Sequence, residues 1–150
     1  MTSTQIILLI VAILVLEALI WIPMLIWLRR RSARLAESIK ESIAQSGERS
    51  VMEPQSALYR GGTGRFSFIK SNAVIALTDR RIIFQGVLGK MVEIPLADVA
   101  EVSENKWFLR SYRGGRMHLI LKMRDGSVVG FIVDDHDAWM NALQSFLPRS

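Results

Sequence analysis

Arg116 to Leu147 reads RMHLILKMRDGSVVGFIVDDHDAWMNALQSFL, and two periods meet inside it. In the first part apolar residues alternate. Met117, Leu119, Leu121 and Met123 share one face of an extended segment, while His118, Ile120 and Lys122 take the other. Asp125-Gly126 has the residues a tight hairpin turn prefers, so SVVGFIVD returns as the partner strand. The spacing then becomes helical, with Ala138, Trp139, Ala142, Leu143, Phe146 and Leu147 on one side. Asp134, Asp135, His136 and Asp137 stand before it, where carboxylates cap free amides and suit the positive end of the helix dipole. Pro148 is expected to end the helix.

Working back from this stretch, five more β-rich runs appear: SALYRGG from Ser56, NAVIALT from Asn72, RRIIFQG from Arg80, KMVEIPL from Lys90 and DVAEVSE from Asp98. Turn chemistry separates most of them, as at Thr78-Asp79, Gly86 to Gly89 and Arg113-Gly114-Gly115. Seven strands at this spacing predict an antiparallel sandwich or barrel, which the final helix makes an α+β domain.

That order resembles the pleckstrin-homology-like superfold, in its bacterial PH and GRAM-type branch. The residues that carry the resemblance are LTDRRIIF (Leu77 to Phe84), EIPLADVAEV (Glu93 to Val102), LKMRDGSVVGFIVDD (Leu121 to Asp135) and Trp139. It implies a seven-stranded antiparallel barrel closed by a C-terminal helix, in a domain spanning 47–150. It also implies that the loop between the first two strands supplies basic groups to phosphates, here Arg60, Arg65 and Lys70. Phe66, Phe68 and Ile69 stand among them, as in a loop dipping into headgroups; packing under the barrel is the equal alternative for these residues. The family's basic pattern ends in Lys/Arg-x-Arg, and no such pair follows Lys70; Arg80-Arg81 is adjacent and lies in the next turn.

N-terminal to the domain the composition is different in kind. Ile6 to Leu28 reads IILLIVAILVLEALIWIPMLIWL, apolar except for Glu17 and Pro23. At about 1.5 Å per residue its helix is roughly 34 Å long, enough for a hydrocarbon core of about 30 Å. Residues 6–28 are therefore expected to be a transmembrane helix, with Trp21 and Trp27 toward one headgroup layer. All 19 Lys and Arg lie from Arg29 onward. Arg29, Arg30, Arg31 and Arg34 resist translocation, which places the N-terminus outside and the domain in the cytoplasm; the bacterial branch of the resemblance implies the inner membrane of a bacterial-type cell. A cleaved signal peptide would need charge before the run and small residues after it, and has neither. Glu17 sits mid-span, where a carboxylate is costly; a helix–helix contact or a partner's basic group would use it, and protonation would hide it. Pro23 is expected to kink the last turns.

Residues 29–46, RRRSARLAESIKESIAQS, read as a separate juxtamembrane amphipathic helix with Leu35, Ile39 and Ile43 as its stripe and Gly47 as its stop. The stripe could pack on the domain, on the membrane or on a second copy, and self-association through the anchor and this stripe is one expectation.

The chain has no cysteine, which excludes disulfides and thiol chemistry. Four consecutive residues at a helix start cannot converge on one metal, so 134–137 is not read as a metal site. Gly61, Gly62 and Gly64 lack the Gly-Lys-Ser/Thr of a phosphate-binding loop. No nucleophile has a base and an orienting acid nearby, so a non-enzyme without cofactor or metal is expected. His118 is expected on the surface. Lys106, Arg110, Arg113 and Arg116 surround Trp107, Phe108 and Tyr112, a mixture known from single-strand binders; the tether and the modest domain charge argue against nucleic acid. The expectation is a membrane-held module binding a protein partner, with anionic lipid as the alternative ligand.

Overall fold

The structure, a computed structural model, describes residues 1–147; the expected stop at Pro148 lies outside them. One helix, α1, runs without interruption from Ser3 to Ser46. Thr2 begins it with a reciprocal cap, its hydroxyl receiving the Gln5 amide while the Gln5 side chain receives the Thr2 amide. Gly47 ends it at φ 70°, a left-handed conformation natural to glycine, and its N–H returns to the carbonyl of Ala44. The expectation of two helices meeting at Arg29 is corrected. Between Met24 and Ser46 there is no glycine or proline, and Ala, Glu, Arg, Lys and Leu all favour helix. A change from apolar to charged residues alters what surrounds a helix and leaves its backbone unbroken.

The seven strands are β1 (Ser50–Gly62), β2 (Ser71–Thr78), β3 (Arg81–Gly86), β4 (Met91–Pro95), β5 (Val99–Asn105), β6 (His118–Met123) and β7 (Val128–Val133). All pairings are antiparallel, in the order β4-β3-β2-β1-β7-β6-β5. The sheet curls around one core, and its edges β4 and β5 are joined by a single 3₁₀ turn, Leu96–Asp98. β1 begins six residues earlier than its alternation indicates. Pro54 has no N–H to give to a ladder, and the register against β2 shifts between Met52 and Gln55.

The helix α2 (His136–Phe146) closes the core with Trp139 and Leu143, both fully buried, and Asp135 caps it by accepting the Ala138 amide. Tyr59, Phe84 and Phe131 form an aromatic trio inside, with ring centroids 4.9 to 5.6 Å apart.

A second, smaller apolar cluster lies on the outer face. Leu35, Ile39 and Ile43 of α1 pack on Val74, Ala76 and Ile83 of β2 and β3. Of the three surfaces open to the stripe, the chain's own sheet takes it, and the stripe is no longer free for a second copy. The far end of this contact is clasped by Glu48. Its carboxylate accepts from Thr78 Oγ1 (2.5 Å) and pairs with Arg81 (2.9 Å), which also holds Glu93 (2.6 Å). Burial alone would raise the Glu48 pKa, but the hydrogen bonds from Thr78 and Arg81 outweigh it and hold it below 4.5. A carboxylate depressed on folding stabilises the fold fully above its unfolded pKa and loses that contribution as pH falls through the lower folded value. Acid titration should therefore loosen the end of α1 below about pH 4.5, and Glu48→Gln should remove that step from a hydrogen-exchange profile of residues 40–50.

Candidate functional site

Three features gather on the side of the domain where α1 arrives. The first is the helix itself. The helix holds an 18-residue window of mean hydropathy 2.9 with none of that window buried, so it is long and apolar enough to cross a membrane. Glu17 lies within that bare stretch, among exposed Leu14, Leu19 and Ile20. Of the four arginines expected to set topology, Arg29, Arg30 and Arg34 are exposed. Arg31 is engaged: its guanidinium lies 5.8 Å from the Trp27 ring, and its Nε donates to the carbonyl of Val87 in the β3–β4 turn. That bond ties the domain to α1 three residues after the apolar run ends.

The second is the β1–β2 loop, which the structure divides. Phe66 is buried in the core, so its placement at a headgroup surface is corrected: the turn Thr63–Phe66 folds it back under the sheet. Arg65 pairs with Asp98 (3.4 Å) and Asp125 (4.0 Å) and lies over the Phe66 ring. Arg60 donates to Ser111 Oγ at 2.7 Å. Its partial burial, and then the nearby Arg113, push its pKa down. These two arginines serve internal contacts. Phe68 and Ile69, by contrast, are 79% and 65% exposed, with exposed Lys70 beside them.

The third feature was missed at the level of sequence. The long β5–β6 connection, 106–117, does not extend from the strand ends but folds back over the outer face of β6, β7 and β1. Phe108 packs on Gly130, where any Cβ would overlap its ring, and an isolated bridge joins Phe108 to Ser111 through two backbone bonds of 3.1 and 2.7 Å. Between them Leu109 (φ 43°) and Arg110 (φ 61°) are both left-handed, which costs an L-residue roughly 1–2 kcal/mol each. Two positive φ values define a type I′ geometry that Asn-Gly normally fills, so no turn signal marked this one.

His118 is therefore not a surface residue, and that expectation is corrected. Its position on the outward face was read properly, but the flap covers it. Nδ1 meets the carbonyl of Asn105 and Nε2 meets Ser111 Oγ, both at 3.1 Å. Burial lowers its pKa, and Arg60 and Lys70 push it the same way against the Asn105 hydrogen bond. What the flap presents outward is a stacked pair, Trp107 on Tyr112 (centroids 4.8 Å apart), with Leu109 beside it.

The residues at 134–137 are separated in use. Asp134 pairs with Arg116 at 3.4 Å, Asp135 caps α2, and His136 meets Glu104 at 2.5 Å.

No protein-family model matches the chain, and no curated protein matches it. Among solved structures it is similar to the C-terminal domain of an unknown protein from Leishmania infantum, at 13% identity and a TM-score of 0.52. That likeness covers 73% of this chain and 94% of the other, and it concerns the fold alone.

Proposed function

We propose that this chain is a single-pass anchor carrying a pleckstrin-homology-like interaction module, displayed on the cytoplasmic face of the inner membrane to bind a protein partner. One observation carries the reading. The helix that is apolar enough to span a bilayer continues into the domain and is clamped to it along Leu35, Ile39 and Ile43, with Arg31 and Glu48 fastening the two ends of the contact. A flexible linker would only keep the domain near the membrane; a shared helix also fixes its height and its orientation, which suits presentation to an assembly. The order of seven antiparallel strands, the single closing helix and the core Trp139 support the family reading. The four arginines after Leu28 support the cytoplasmic side.

Cross-linking of the full chain in its native membranes, followed by capture, should give a discrete adduct with a second protein. Adducts only with itself, or none, would overturn the reading. Glu17→Leu run in parallel decides whether the intramembrane acid contributes: an unchanged adduct removes it.

A second reading, contact with anionic lipid headgroups, is favoured by one observation, the exposed Phe68-Ile69-Lys70 segment. Arg60 donates to Ser111 and exposed Arg65 pairs with Asp98 and Asp125, so Phe68, Ile69 and Lys70 carry this second reading.

A further inference from the structure

We infer that the β5–β6 flap is a second membrane contact, laying Trp107, Tyr112 and Leu109 into the headgroup layer of the same bilayer that α1 spans. The inference rests on the spanning-helix reading above and concerns a segment that reading does not use.

Height is the first argument. Arg31 follows Leu28 by three residues, so it stands about 4.5 Å beyond the apolar run along the helix axis. The headgroup layer on each side of a bilayer is roughly 5–7 Å deep. The β3–β4 turn is bonded to Arg31 through Val87, and Val87 N–H bonds in turn to Asn72 at the start of β2. Glu48, just past the far end of α1, holds Thr78 at the end of β2, so β2 leads away from the bilayer. β1 is antiparallel to it, with Asn72 paired to Leu58 and Ser71 to Tyr59, and past Tyr59 it runs on toward the bilayer. The flap is fastened there, through Ser111 to Arg60 and through Phe108 to Gly130. A separate contact agrees: Ser32, one turn beyond Leu28, and Arg116, at the end of the flap, line one cleft of about 280 Å³.

Chemistry is the second. Trp107, Tyr112 and Leu109 are 63%, 48% and 41% exposed. Indole and phenol rings favour the headgroup level, where one edge is apolar and the other wet. From Asn105 to Arg124 there is no carboxylate, and Lys106, Arg110 and Arg113 fringe the rings without making an ion pair among the described residues. Such a fringe matches anionic lipid. Leu88, 83% exposed in the turn held by Arg31, stands at the same level. An acidic protein would also meet this charge, but the height argument favours the bilayer.

The test uses the full chain carrying Trp21→Phe and Trp27→Phe, in vesicles of phosphatidylcholine and phosphatidylglycerol. Bromine is placed on the acyl chains close to the headgroups. Trp107 and the fully buried Trp139 are then the remaining fluorophores, and Trp139 reports that the domain stays folded. Emission should drop in brominated relative to plain vesicles, and adding Trp107→Phe should abolish the drop. Equal emission in both vesicle types, with the chain floating with the vesicles, overturns the inference and leaves the flap to a protein. A chain that does not float with the vesicles overturns the anchor reading instead.

Discussion

Replacing Ile39 by aspartate is expected to detach α1 from the sheet and to leave the sheet's own core standing. Ile39 is fully buried between Val74, Ala76 and Ile83. A carboxylate there has no partner within the cluster, and an unpaired charge in an apolar site costs several kcal/mol even after relaxation. Ile39→Ala would cost about 2–5 kcal/mol through the cavity alone. The cluster it belongs to is separate from the main core, so the loss falls on docking. In membranes, limited trypsin should then cut near Arg34 and Lys40 and release the domain into the supernatant. The unaltered chain, with its last helical turns pinned, should release it far more slowly. Equal rates would mean that the outer-face contact does not hold the domain to the helix.

Trp139→Ala is expected to strike the other cluster, and harder. Trp139 is fully buried in the main core and is its largest fully buried side chain. Truncation of such a residue costs about 3–5 kcal/mol, a large share of the roughly 5–15 kcal/mol that holds a domain folded. For about 100 residues that corresponds to a fall in Tm of roughly 15 °C or more. Trp139→Phe should cost much less. It keeps most of the ring volume and discards an indole N–H that finds no acceptor among the described residues. Thermal unfolding of the three chains followed by circular dichroism checks the ranking; an alanine variant as stable as the phenylalanine one would place the core elsewhere.

The strands and α2 were legible because a half-buried strand and a half-buried helix each write a period into the chain, and Arg116 to Leu147 contains both. The continuity of α1 was also present, in the absence of any glycine or proline after Pro23, but the abrupt charge at Arg29 drew the boundary instead. Polarity reports the surroundings of a helix; only backbone chemistry reports where it stops. The candidate loop was harder to read. Phe66 and Phe68 are two residues apart in one polar segment, yet one is core and the other exposed. The difference is made by a turn that hands Phe66 back to the sheet. Arg65 finds Asp98 and Asp125, partners 33 and 60 positions away that no local pattern announces. The flap eluded sequence reasoning for a related reason. Its turn is built from Leu109 and Arg110, residues that carry no signal for positive φ, and Gly130, the residue that admits Phe108, looks like an ordinary weak point in a strand.

In the proposed function α1 crosses the bilayer and holds the folded domain against its cytoplasmic face. The chain has no cysteine, so single cysteines can be placed freely: Ser3→Cys at the start of α1 and Gln144→Cys at an exposed position on α2. A membrane-impermeant maleimide applied to intact cells should label Ser3→Cys at once and reach Gln144→Cys only after the membrane is opened. Labelling of Gln144→Cys in intact cells would contradict the account.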